Sequence, residues 1–149
     1  MIDAVFDCMV FLQAATNPRS PAFACLALAE GNRVRLHVSP PILVEVRDVL
    51  TRPKIRVKFP RLTPERVETF VQKLAALAVL ATQIPSAGIA LRDPDDLPYL
   101  DLAVAEQVSY LVSRDKDLLD LMNDPSFRSR RPNLHVVDPV EFLKAVASS

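Results

Sequence analysis

Tyr110-Leu111-Val112-Ser113-Arg114-Asp115 is a short apolar run closed within three residues by an acid. Near the other end of the chain, Ala4-Val5-Phe6-Asp7 repeats the form. Apolar runs this short, bounded by polar residues, are the mark of strands buried on both faces. The segments between them carry helical periodicity. Ile42, Leu43, Val46, Val49 and Leu50 make one apolar stripe, and Thr63-Pro64 opens a long stretch rich in Ala, Leu and Val to about Leu77. Alternation of this kind predicts an α/β fold: a single-domain, three-layer α/β/α arrangement around a central parallel sheet. In such a sheet the carboxyl ends of the strands open onto one crevice.

The remaining elements follow from local signals. Strands are expected at Ile2–Phe6, Val34–Val38, Tyr110–Ser113 and Leu134–Val137. A helix capped by Ser20 and opened by Pro21 runs to Glu30 and stops at Gly31, a suitable left-handed terminator. Ser39 caps the helix containing Pro40 and Pro41. Helices are also expected from Leu97 to about Glu106, over Asp117–Met122, and over Pro139–Ala147 behind the capping box Asp138-Pro139-Val140-Glu141. The residues from Asp7 to Asn17-Pro18, the basic Arg52–Lys58 stretch, Ile84–Leu91 and Asn123–Asn133 have no such signal and read as connections.

At 149 residues with 50% hydrophobic content, the chain suits one domain over 1–149 with an aliphatic core. No apolar stretch reaches the ~20 residues needed to span a bilayer, and Asp3 in place of a basic start argues against a signal peptide. Cys8 and Cys25 lack any metal-ligand spacing and are expected to be buried thiols in a cytoplasmic protein. His37 and His135 fall in strands, where core or sheet-surface roles are expected. Gly31 and Gly88 are the only glycines, so no Gly-rich phosphate loop exists.

The acids carry the chemistry. Asp7 and Asp115 close strands, Asp96 starts a helix, and Glu45 lies at the edge of the stripe on its helix, about 40° from Val49. An acid directly after a buried strand must be solvated, paired or bound to a cation. Asp96 and Asp115 also have the form of N-caps. Converging carboxylates repel unless a cation neutralises them, and oxygen ligands without thiol or imidazole point to Mg²⁺ or Mn²⁺. Charge is segregated within a formal net charge of zero. Arg47, Arg52, Lys54, Arg56, Lys58, Arg61 and Arg66 cluster in one stretch, while Asp93 to Asp124 is strongly acidic. A basic flank beside an acidic pocket suits a metal-dependent enzyme acting on a polyanion.

Four stretches resemble the PIN-domain ribonucleases, many of which are toxins of bacterial toxin–antitoxin pairs. They are Val5-Phe6-Asp7-Cys8-Met9-Val10-Phe11-Leu12, Val38-Ser39-Pro40-Pro41-Ile42-Leu43-Val44-Glu45-Val46, Arg92-Asp93-Pro94-Asp95-Asp96-Leu97-Pro98-Tyr99-Leu100, and Tyr110-Leu111-Val112-Ser113-Arg114-Asp115-Lys116-Asp117-Leu118-Leu119. The resemblance implies a catalytic, metal-holding set of Asp7, Glu45, Asp96 and Asp115, supported by Ser113 and by the nearby acids Asp93, Asp101 and Asp117. It also implies a Mg²⁺- or Mn²⁺-dependent endoribonuclease with an RNA substrate and a cognate antitoxin partner; a homodimer is expected separately, from the apolar character of the chain and the surface its helices have to spare. Arg47, Arg52, Lys54, Arg56 and Lys58 would bind RNA, with Arg128, Arg130 and Arg131 as further steering charges. Two departures stand out. Met9 replaces the Asn of the family's usual Asp-Thr-Asn; it cannot donate a hydrogen bond and is expected to pack against the sheet. Gln107 stands where a helix-ending Gly is usual. The alternative implied by Met9 is a catalytically weakened domain that binds RNA or protein.

Overall fold

β1 (Ile2–Phe6) holds Ala4, Val5 and Phe6 at 1% exposure or less, as a central strand covered on both faces must. In the computed structural model, which describes residues 1–149, it sits in the middle of a five-stranded, all-parallel sheet. The order is β3-β2-β1-β4-β5, with β2 at Val34–Val38, β3 at Val79–Leu80, β4 at Tyr110–Val112 and β5 at His135–Val137. The chain therefore builds outward from β1 on one side, then crosses back and builds outward on the other. The order reverses between β1 and β4, and the crevice beyond their carboxyl ends is where such sheets bind ligands. Asp7 follows β1 directly, and Ser113 and Asp115 follow β4.

Nine helices join and flank the strands: α1 (Cys8–Thr16), α2 (Pro21–Glu30), α3 (Pro40–Leu50), α4 (Pro53–Lys58), α5 (Pro64–Leu77), α6 (Leu97–Ala105), α7 (Lys116–Leu119), α8 (Pro125–Arg130) and α9 (Pro139–Ala147). Proline opens six of them, where its missing N–H is one that the first turn leaves unpaired anyway. Ser20, Thr63, Asp124 and Asp138 cap four of these with side-chain acceptors. α6 lies against β1, β2 and β4, whereas α2 lies on β2 and α9 on β4. Phe6 meets Phe11 of α1 at 5.9 Å and Phe142 of α9 at 5.8 Å between ring centroids.

Several expected connections are structured. α1 begins at once after Asp7; its Cys8, Val10, Phe11, Leu12 and Ala14 are all buried, so no polar face gives a helical stripe to read. α4 and α8 are single short helices, opened by Pro53 and by Asp124-Pro125. β3 is two residues long, too short for any pattern, and adds the edge beside β2. Ser39 takes the N-cap position of α3 but makes no side-chain capping bond.

Gly31 is not the left-handed residue ending α2. Its φ is −85°, and Asn32 adopts φ +59° instead. Asn32 N–H donates to Ala29 O and Arg33 N–H to Leu28 O, the paired bonds of a Schellman motif. Gln107 does the same after α6, with φ +53°, its N–H on Val104 O and Val108 N–H on Ala103 O. A side chain in that region costs about 1–2 kcal/mol that glycine does not. Gln107→Gly is thus expected to raise unfolding free energy by about 1 kcal/mol in urea titrations; a decrease would show that the Gln side chain has a compensating contact.

His37 is buried in β2, with Nε2 2.8 Å from Asp3 Oδ1 and Nδ1 3.3 Å from Glu106 Oε1. His135 is exposed and stacks on Tyr110. Cys8 and Cys25 are buried free thiols, each pushed up to about 12, chiefly by burial.

Candidate metal centre

Asp7 is pinned where β1 ends. Its N–H donates to Val112 O at 3.0 Å, and its Oδ1 accepts Val10 N–H at 3.1 Å as the N-cap of α1. Its other oxygen accepts the hydroxyl of Ser113, whose own oxygen accepts Asp115 N–H at 2.9 Å. Asp115 in turn caps α7, Oδ1 accepting Asp117 N–H at 2.8 Å. One serine, fully buried, thus ties the acid after β1 to the acid after β4.

Asp93, Asp96 and Asp115 each offer a carboxylate oxygen, and the three oxygens lie within 4.8 Å of one another. Asp93 is held by accepting Asp95 N–H at 2.9 Å, across the 3-10 turn Pro94–Asp96. Asp96 occupies the N-cap position of α6 yet makes no capping bond, and its Oδ2 is buried without a partner. A buried carboxylate oxygen left unbonded is costly unless something else satisfies it. Asp7 and Glu45 stand outside this tight group. Glu45, half-buried on α3, accepts the hydroxyl of Tyr99, a 2% exposed residue of α6. Burial chiefly, with the negative charges of Glu45 and Asp7 adding to it, pushes the Cys8 thiol up.

The electrostatics agree with crowding. Burial first, then Asp115, Asp93 and Asp7, push Asp96 from its ordinary 3.8 up to about 7. Burial also raises Asp7, against the opposing hydrogen bonds from Ser113 and Val10 and with some help from Asp115. A divalent cation would relieve each of these effects. The donors are hard oxygens with no thiol or imidazole in the cluster, so the residues present fit Mg²⁺ or Mn²⁺.

Other expected site residues take different places. Asp101 accepts Ala87 N–H at 2.9 Å and tethers the segment before α6, lining a 230 Å³ cavity with Ser39, Thr82 and Pro98. Asp117 faces Arg92 at 3.5 Å on the rim. Arg47 is engaged by Glu68 at 2.9 and 3.0 Å, and Arg52 by Asp48 at 3.1 Å. Lys54, Arg56 and Lys58 are exposed on α4 and form no ion pair. Arg130 and Arg131 line a cavity with Gln107, Val108 and Leu134, at the amino ends of β4 and β5. That is the opposite end of the sheet from the carboxylates. Met9 does not pack against the sheet; it is 47% exposed in the first turn of α1. Tyr99 was not visible as a site residue, because a tyrosine in an apolar helix reads as core, and its bond to Glu45 spans 54 residues.

Ser113→Ala would leave Asp7 and the Asp115 N–H short of a partner in a buried place. The expected cost is about 1–3 kcal/mol, read by chemical denaturation without metal. A change near zero would mean that water replaces the hydroxyl.

The chain is 25% identical to an uncharacterized protein of Methanocaldococcus jannaschii over 144 residues, covering 96% of this chain and 90% of that one. Its fold is similar to a chain in the crystal structure of VapBC2 from Rickettsia felis bound to a DNA fragment from their promoter. The TM-score is 0.56 at 15% identity, covering 92% of this chain and 98% of that one. No helix is long and apolar enough to cross a membrane. The PIN domain family model matches residues 3–117, from the start of β1 to the helix that Asp115 caps, and the chain belongs to the PIN domain family, whose members are generally metal-dependent nucleases.

Proposed function

We propose that this protein is a Mg²⁺- or Mn²⁺-dependent endoribonuclease, the toxin of a toxin–antitoxin pair acting in the cytoplasm. The observation that carries this reading is the trio Asp93, Asp96 and Asp115, with oxygens within 4.8 Å at the point where the strand order reverses. Asp96 and Asp115 would hold the cation, with Asp93 completing the set on one side and Asp7 and Glu45 on the other. A divalent cation bound there supplies Lewis acidity for phosphodiester hydrolysis and charge to balance the phosphate. Ser113 holds Asp7 and Asp115 in register, and Tyr99 orients Glu45. No side chain is placed as a nucleophile, so water attacks directly. The antitoxin partner rests on the resemblance in sequence and on the VapBC2 likeness; a homodimer is part of the same reading.

The test is incubation of tag-free protein with single-stranded RNA in Mg²⁺, Mn²⁺ or EDTA. Internal cleavage that needs the metal is the expected result. Absence of cleavage across RNAs and metals would favour the second reading, a binding module, which Met9 specifically supports. Met9→Asn separates the two. An amide there is expected to raise Mn²⁺-saturated cleavage about tenfold or more, the scale of a ligand-orienting contact. Because Met9 is half exposed, stability should move by no more than about 0.5 kcal/mol. Robust wild-type cleavage that the substitution leaves unchanged would show that this site does without the amide.

A further inference from the structure

A groove of about 460 Å³ lies where the far end of α1 meets the link between α4 and α5. Its walls include Thr16, Lys58, Phe59, Arg61, Arg66 and Phe70, and no acid lines it. The three cations are exposed and none takes part in an ion pair, unlike Arg47 and Arg52 beside them. Lys58 Nζ sits 5.5 Å from the centre of the half-buried Phe59 ring. Cations left unpaired around partly exposed aromatic rings match what single-stranded nucleic acid asks for: charge for phosphates and ring faces for bases.

Position supports the same ligand. α1 starts at Asp7, and from Cys8 to Thr16 its axis advances about 12 Å. The groove is therefore one short helix away from the acids. At about 12 Å, a strand whose scissile phosphate sits at the carboxylates needs only a few nucleotides to reach Lys58, Arg61 and Arg66. An acidic peptide could satisfy the charges, but it would have no reason to continue toward a cluster of carboxylates, whereas a metal-neutralised RNA strand does.

We propose that this groove is a subsite for single-stranded RNA flanking the cleavage point, where phosphates meet Lys58, Arg61 and Arg66 and bases lie on Phe59 and Phe70. The proposal rests on the ribonuclease reading, and its test is chosen to fail separately from it. Binding of a labelled oligouridine is followed by fluorescence anisotropy in EDTA, as a function of salt, for wild type and for the combined variant K58Q/R61Q/R66Q. These side chains are exposed and lie outside the acid cluster, so the Mn²⁺-induced shift in melting temperature serves as the control for an intact fold and site. The expected result is about 10–100-fold weaker binding, with the slope of log affinity against log salt reduced by about 2, given ~0.7 per phosphate contact on single strands. Arg61→Lys with Arg66→Lys should restore most of the loss. In cleavage assays the triple variant should raise KM with kcat little changed. Wild-type affinity and salt slope in the triple variant, alongside normal wild-type cleavage, would overturn the subsite and leave the ribonuclease reading standing. Loss of polyglutamate binding with RNA binding unchanged would also overturn it, in favour of an acidic protein segment. A wild type that neither binds nor cleaves RNA would overturn both.

Discussion

Asp115→Asn is expected to lower metal-dependent RNA cleavage by at least about 10³-fold while leaving the fold intact. The substitution is close to isosteric, and the new amide oxygen can still accept Asp117 N–H, so the cap of α7 survives. The Ser113 contact uses the Asp115 backbone and is also kept. What disappears is the negative charge of one of three clustered oxygens. Ligands that hold a catalytic cation support several kcal/mol of transition-state stabilisation, and about 4 kcal/mol corresponds to 10³ in rate. Single-turnover cleavage and urea denaturation of the same sample give both halves. Residual activity within tenfold of wild type would remove Asp115 from the catalytic set.

Mn²⁺ or Mg²⁺ at about 100 times its dissociation constant is expected to stabilise the protein by about 2.7 kcal/mol, which is ~5–10 °C in Tm for a chain of this length. Asp7→Asn should remove most of that increment. The metal-free variant should melt no lower than metal-free wild type at pH 8, because the amide can still cap α1 while the buried charge is gone. The pH dependence has a definite sign. Asp7 and Asp96 both have raised values in the folded protein, Asp96 from 3.8 to about 7. The folded state therefore holds protons that the unfolded state has released. Their contribution is full below about pH 4 and is lost as pH rises toward 7. Metal-free protein should lose this support across that window, and metal-induced stabilisation should grow across it. A metal-free Asp7→Asn protein that melts much lower would make Asp7 a structural anchor of α1 and β4 instead.

The strands were legible where burial on both faces forces unbroken apolar runs, as in Ala4–Phe6. The two-residue β3 exists through backbone pairing to β2 and carries no side-chain pattern of its own. α1 was hidden by its composition: its exposed face carries the apolar Met9 among few polar residues, so it lacks the alternation of faces that periodicity detects. Asp7 and Asp115 could be placed together because each closes an apolar run, and parallel strands all end on one edge of the sheet. How tightly Asp93 joins Asp96 and Asp115, and how Tyr99 reaches Glu45, depend on loop conformation and on packing between α3 and α6. Spacing along the chain does not encode either. The Asn32 and Gln107 termini show the same limit, since left-handed geometry fell on residues whose side chains only weakly advertise it.

The bond from Ser113 to Asp7 joins residues 106 positions apart. A ribosome adding about 5–20 residues per second needs roughly 5–20 s to travel that distance. Throughout that interval the emerging polypeptide owns Asp7 but neither Ser113 nor Asp115, and β1 has no β4 to lie against. On the ribonuclease reading proposed above, the site is thereby incomplete, and inert, for as long as that interval lasts. The same reading has cleavage begin only once Asp115 has emerged, which sets the latest moment at which a neutralising partner is useful.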